Sequence, residues 1–370
     1  MSLLNMLPDL YWLYKSYLFD LEPEKAHNLT IALMRRGLVP EFDNDVYPSL
    51  RTTVAGLDFP NPIGLAAGFD KQAEVIAESL GLGFGFAEVG GVVPLPQSGN
   101  PKPRLFRIRE ADAVINRMNF NSDGFEAVAR RIAAWYDASG AAFFDSKTKA
   151  KRGVVGINIA QGDNCANAAE AFVKGLILFA PYLHYITINV SCPNSPDARG
   201  LEGREQLAAL LQTVMAAQNA LPRKPKVFVK ISPDQTERQL ADIAEVVLAS
   251  GVHGIIVGNT TTTRPKGIPT KYAKEAGGLS GKPLFALSTR ILADMYKLTK
   301  GQIPLIGSGG VSSGEDAYAK IRHGASLVQV YTALIFEGPY LIKRINHDIA
   351  KFLERDGFQS VSEAVGVDVK

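Results

Sequence analysis

From residue 57 onward two hydrophobic rhythms alternate along the chain. Short, continuous apolar runs rich in Val and Ile give way to stretches in which apolar residues recur every three or four positions. Continuous runs of this length suit strands buried on both faces, and the three-to-four spacing suits amphipathic helices. The runs predict strands at Asn61–Gly68, Phe84–Val92, Val154–Ala160, Tyr185–Ser191, Val227–Ile231, Gly254–Asn259, Pro304–Gly307 and Leu327–Tyr331. The intervening periodicity predicts helices at Ala73–Leu80, Phe125–Tyr136, Ala166–Phe179, Glu205–Gln218, Glu237–Leu248, Phe285–Thr299 and Glu315–His323. Such strand–helix units over residues 57–370 predict an α/β fold of the (β/α)8 TIM-barrel type. The longest gap between strands, from Pro94 to Gly153, is rich in Pro, Gly, Asn and Arg, the mark of a functional insertion.

Residues 1–40 follow another pattern. Leu, Tyr and Trp recur at helical spacing through Phe19, and a second helical stretch follows Pro23 and stops at Gly37. An apolar-faced helical hairpin is expected, packed on its own domain or lying in a membrane interface where it admits an apolar substrate. Residues 41–56 read as a linker.

Composition narrows the field. A net charge of +3 and the lack of a basic run interleaved with aromatics argue against nucleic acid. Two cysteines, Cys165 and Cys192, form no disulfide framework, and five scattered histidines suggest no metal site. No apolar run approaches bilayer length, and no signal or transit peptide is evident.

The chemistry gathers just after the predicted strands, where barrels of this kind keep their active sites. Strand 1 leads into Ala66-Ala67-Gly68-Phe69-Asp70-Lys71, and strand 2 ends in Gly90-Gly91-Val92. The insertion carries Asn116-Arg117-Met118-Asn119-Phe120-Asn121. Strand 3 holds Asn158, and strand 4 runs into Asn189-Val190-Ser191-Cys192-Pro193-Asn194. Lys230 lies inside strand 5, and strand 6 ends in Gly258-Asn259-Thr260-Thr261. Glycine-rich loops at Gly277–Gly281 and Gly307–Gly310, with Tyr331-Thr332 after the last strand, suggest an anion cradle. A buried lysine needs an opposing negative charge, so a phosphorylated planar cofactor such as a flavin is the natural occupant.

At this level the chain resembles the dihydroorotate dehydrogenases, specifically the membrane-associated, quinone-dependent class. The resemblance runs over nearly the full length, through NPIGLAAGFDK, GNPKPRLFR, INRMNFN, NVSCPNSP, GNTT, GGLSGKPL, IGSGGV and GASLVQVYTAL in family order. It implies FMN held by Ala67, Gly68, Lys71, Gly91, Asn158, Asn189, Lys230 and Gly258, with its phosphate against Gly281, Gly310, Tyr331 and Thr332. It implies dihydroorotate or orotate held by Lys71, Asn116, Arg117, Met118, Asn119, Phe120, Asn189, Asn194, Asn259 and Thr260. A quinone would enter under the hairpin on a bilayer surface, and a monomer on the cytoplasmic face of a bacterial inner membrane is expected. Three positions depart from the pattern. Cys192 stands where quinone-linked members carry a serine base, and a thiol ionises far more readily than a hydroxyl. Gly91 and Gly258 stand where Thr or Ser is usual. Rival readings are a soluble acceptor (fumarate or NAD), a dihydrouridine synthase acting on RNA, and a non-catalytic membrane flavin-binding protein.

Overall fold

The computed structural model describes residues 9–140, 153–163, 165, 167–191 and 201–369. Its centre is a closed, all-parallel barrel of β3 (Ile63–Leu65), β4 (Phe86–Val92), β7 (Val154–Ile159), β8 (Tyr185–Asn189), β9 (Lys226–Ile231), β10 (Gly254–Val257), β12 (Leu305–Ser308) and β13 (Ala325–Val330). Each strand overlaps one of the apolar runs, with β9, β12 and β13 reaching one or two residues beyond theirs. The first is shorter than its run, because the Asn61 side chain turns back to bond Asn44 O (2.8 Å), Gly83 O (3.1 Å) and Ile63 N (3.0 Å).

Side chains alternate across a strand, so every second residue enters the barrel. The lowest inward layer is apolar: Phe86, Val154, Tyr185, Phe228, Ile256, Ile306 and Leu327. An antiparallel hairpin of β1 (Thr52–Val54) and β2 (Leu57–Phe59) closes this end, adding Val54 and Phe59 to the same cluster. Part of β1–β2 falls in the stretch read as linker. The outward-facing strand residues pack beneath the helices in a second, larger core.

The insertion after β4 is more ordered than its composition suggests. β5 (Leu105–Ile108) and β6 (Ala113–Asn116) pair antiparallel, and β11 (Gly278–Gly281) adds a third strand beside β6. Gly278–Gly281, expected as a loop, is instead a strand, because its partner β6 lies in a segment remote in sequence. Gly281 sits so close to the β6 segment that a Cβ would lie 2.3 Å from Asp112 O.

The predicted hairpin is α1 (Tyr11–Asp20) and α2 (Pro23–Met34). Glu22 caps α2 by accepting from the amides of Glu24 (3.0 Å) and Lys25 (3.1 Å), with Pro23 at the first helical position. No residue of α1 is buried. Trp12, Leu13, Tyr14 and Tyr17 are exposed, Trp12 at 70%. Among the described residues no helix is long and apolar enough to cross a membrane.

Candidate active site at the barrel mouth

Three adjacent strands bring the central polar groups together. The register sets Asn158 opposite Thr187 and Asn189 opposite Lys230, so Asn158, Asn189 and Lys230 enter the barrel side by side. Below them lies Glu88 of β4, fully buried. Its carboxylate accepts from Asn158 Nδ2 (2.9 Å), Tyr185 OH (3.2 Å), Thr187 Oγ1 (3.1 Å) and Gln329 Nε2 (3.0 Å). Above it Asn158 Oδ1 accepts from Asn189 Nδ2 (2.9 Å), and Asn189 Oδ1 accepts from Ser191 N (3.2 Å) and Oγ (3.1 Å). Asn259 Nδ2 completes the chain by donating to Ser191 Oγ (3.0 Å).

Lys230 makes no hydrogen bond or ion pair among the described residues. Burial lowers its pKa, and the nearby negative charge of Glu88 works in the opposite direction. Gln329 Oε1 is likewise buried without a partner. A cation and an acceptor left open at one mouth fit a ligand that supplies an anionic edge and hydrogen-bond donors.

These groups line one cavity of about 1040 Å³ that runs from the barrel mouth to the inner faces of α1 and α2. Of the residues the sequence singled out, Ala67, Gly68, Lys71, Gly91, Asn116, Met118, Asn119, Phe120, Asn158, Asn189, Lys230, Asn259, Thr260, Gly281, Gly310, Tyr331 and Thr332 lie on its wall. Lys71 donates to Asn121 Oδ1. Gly91 is closely packed: a Cβ there would crowd Asn158 Oδ1 and the Phe120 ring, both at 3.1 Å. Cys192 and Asn194 lie outside the described residues.

Two of the residues the sequence singled out lie off this wall. Arg117 does not join the wall. Its guanidinium pairs with Glu275, donates to Pro103 O (2.8 Å) and stacks on the Phe106 ring at 4.6 Å. Gly258 is also absent from the wall; with a φ of 122° it packs on Ser308, whose O a Cβ would meet at 2.3 Å.

The sequence reading missed Glu88 and Gln329, though a lone acid inside Phe86-Ala87-Glu88-Val89 was a visible signal. It also missed His27 and Arg107 on the hairpin side of the cavity. Burial, aided by Lys71, pushes the His27 imidazole down to about 4, and its ring meets Phe69 edge-on at 5.6 Å. Phe69 in turn meets Tyr331 at 5.8 Å, and burial pushes that phenol up to about 12. Arg107 donates to Leu18 O (2.8 Å) and Leu21 O, fastening the hairpin turn to β5.

Gly281, Gly310, Tyr331 and Thr332, the residues expected at a phosphate, share the wall of this cavity. Gly310 packs so tightly on the helix Phe285–Thr299 that a Cβ would lie 2.3 Å from Phe285 Cα. Beside it Thr332 Oγ1 donates to Ser280 Oγ at 2.9 Å. Among the described residues no group of acids, histidines and cysteines could hold a metal ion.

Barrel and mouth together define a (β/α)8 oxidoreductase whose reaction chamber opens toward an apolar helical hairpin. A family model described as dihydroorotate dehydrogenase matches residues 49–353, and the chain belongs to that family. A dihydroorotate dehydrogenase (quinone) from Azorhizobium caulinodans is 47% identical over 98% of this chain and all of its own length. The mitochondrial dihydroorotate dehydrogenase (quinone) of Oryza sativa is 49% identical over 97% of this chain and 81% of its own. A crystal structure of DHODH from Eimeria tenella in complex with ferulenol superposes with a TM-score of 0.89 at 37% identity, covering 96% of this chain and 98% of that one.

Proposed function

We propose that the chain oxidises dihydroorotate to orotate on a bound FMN and delivers the electrons to a membrane quinone, the redox step of pyrimidine biosynthesis. The observation that carries the reading is the single cavity joining Lys230, Asn158 and Asn189 to the inner faces of α1 and α2. A polar substrate and an apolar one can then reach opposite ends of one chamber.

FMN, when bound, supplies the hydride acceptor for C6 of dihydroorotate and the electrons that the quinone takes. The protein's part is placement and charge. Lys230 offers an ammonium to the anionic edge of the ring, and Asn158 and Asn189, polarised from below by Glu88, offer amide edges. Gly281, Gly310, Tyr331 and Thr332 cradle the phosphate. Lys71 faces the substrate carboxylate, while Asn116, Met118, Asn119, Phe120, Asn194, Asn259 and Thr260 hold its ring. Cys192 takes the proton from C5. Ser191 is unsuited to that task, because Asn189 and Asn259 engage its hydroxyl.

Residues 1–40 form the membrane-facing hairpin and residues 57–370 the catalytic barrel. With no spanning helix among the described residues, α1 lies on the bilayer surface through Trp12 and Leu13. The protein is a monomer on the cytoplasmic face of a bacterial inner membrane. The test is the absorption spectrum of the purified protein. The reading requires dihydroorotate to bleach a flavin band and a quinone analogue to restore it. A colourless protein indifferent to added FMN, or a bleached one reoxidised by NAD or fumarate alone, would sink it.

A further inference from the structure

We infer that Lys320, buried behind the glycine-rich loop Gly307–Gly310, supplies the counter-charge for the phosphate of the cofactor, a role that rests on the FMN reading above. Lys320 belongs to the helix Gly314–Arg322 and is fully buried. Its Nζ donates to Ser288 Oγ at 2.6 Å and lies 5.2 Å from the centre of the Phe285 ring. The Ser288 hydroxyl in turn donates to Gly309 O at 2.9 Å. The stem of Lys320 passes against Gly307, where a Cβ would meet Lys320 Cδ at 3.3 Å. The ammonium is thus one hydroxyl away from the loop that carries Gly310.

No carboxylate forms an ion pair with Lys320 among the described residues. Burial lowers its pKa to about 7, against a raising field from Asp316 on the same helix. A lysine so placed is costly to the protein alone, because a desolvated ammonium with one neutral partner lacks compensation. The fold tolerates that cost where a dianion arrives on the other side of a thin backbone loop. Because Lys320 is fully buried, the attraction acts through the loop with less screening than at the surface. Lys320 touches neither the substrate nor the ring, so it is a positioning residue for the cofactor.

The test compares FMN with riboflavin, which has the same ring and no phosphate, on the flavin-stripped full-length chain. Affinities are read by quenching of flavin fluorescence, and melting temperatures are taken with and without each ligand. For Lys320→Met the expected result is an FMN affinity lower by about tenfold or more, with riboflavin changed by less than about twofold. The ligand-free variant should melt no lower than the wild type, because an uncompensated buried charge has been removed. Lys320→Gln, which keeps a donor for Ser288 without the charge, should behave alike and serves if the Met variant does not fold. Equal loss of both ligands, or loss of neither, would overturn the assignment. So would a less stable ligand-free protein with unchanged FMN affinity. A wild type that binds FMN no better than riboflavin would instead remove the FMN reading itself.

Discussion

Asn158 stands between two partners that fix its orientation: its Nδ2 donates to Glu88 at 2.9 Å and its Oδ1 accepts from Asn189 at 2.9 Å. A carboxylate can only accept, so Glu88 decides which way the first amide points, and each amide then decides the next. Replacing Glu88 by Gln keeps the shape and removes both the charge and this directionality. One misoriented buried amide costs about 1–3 kcal/mol, so flavin affinity should fall by about fivefold to a hundredfold. Retention of bound flavin during dialysis measures it, and a variant as yellow as the parent would refute the relay.

The role proposed for Cys192 has a direct kinetic readout. Cys192→Ala should slow dihydroorotate-driven bleaching in a single turnover by about a hundredfold or more, the usual worth of a positioned base. Flavin content and quinone-driven reoxidation should stay the same. Full-speed bleaching would eliminate Cys192 from the proton transfer.

The hairpin is tied down by a buried ion pair. Glu24 on α2 meets Arg104 at 2.8 Å and Lys102 at 2.8 Å, with Arg104 only 10% exposed. Burial alone would raise the Glu24 carboxyl, but the hydrogen bonds and charges of Arg104 and Lys102 more than offset it and leave its pKa low. A lowered folded pKa stabilises above the unfolded value and is lost as pH falls through the folded one. Hairpin docking should therefore weaken only in acid, below about 4.5. Glu24→Ala leaves Arg104 uncompensated at a cost of about 3 kcal/mol. We expect faster proteolysis within residues 9–40 and a higher KM for quinone, with flavin bleaching by dihydroorotate changed by less.

His27 gives a second pH signature. Its imidazole titrates at about 4 in the fold against 6.5 unfolded, so the unfolded chain binds the proton more readily. Stability contributed by neutral His27 is present above 6.5 and lost as pH falls toward 4. Urea melts at pH 7 and pH 5 should differ by less in His27→Asn than in the parent. Equal pH dependence in the two proteins would show that His27 carries none of it.

The outer face of α1 should dock on lipid. Trp12 and Leu13 are exposed, at 70% and 57%, and neither lines the cavity. Trp12→Glu with Leu13→Glu should abolish co-sedimentation with lipid vesicles while bleaching by dihydroorotate proceeds unchanged. Undiminished sedimentation would place the membrane contact elsewhere.

Much of this protein is local information. Apolar runs of strand length separated by helical periodicity specify a barrel, because each βα unit meets its own hydrogen-bonding and burial needs over a few dozen residues. The helix Phe285–Thr299 agrees with the sequence reading at both ends. The mouth was legible for a similar reason: a polar residue just after a buried strand has one place to go. Folding alone decided partnerships between distant segments. Glu88 meets Gln329 across 241 positions, and β6 finds β11 across the four intervening barrel strands β7 to β10. Arg117 stands beside its asparagines in the sequence, but its guanidinium meets Glu275, 158 positions away. Burial and charge compensation depend on which atoms surround a group in space, and a linear pattern carries the period of a side chain but not its neighbours.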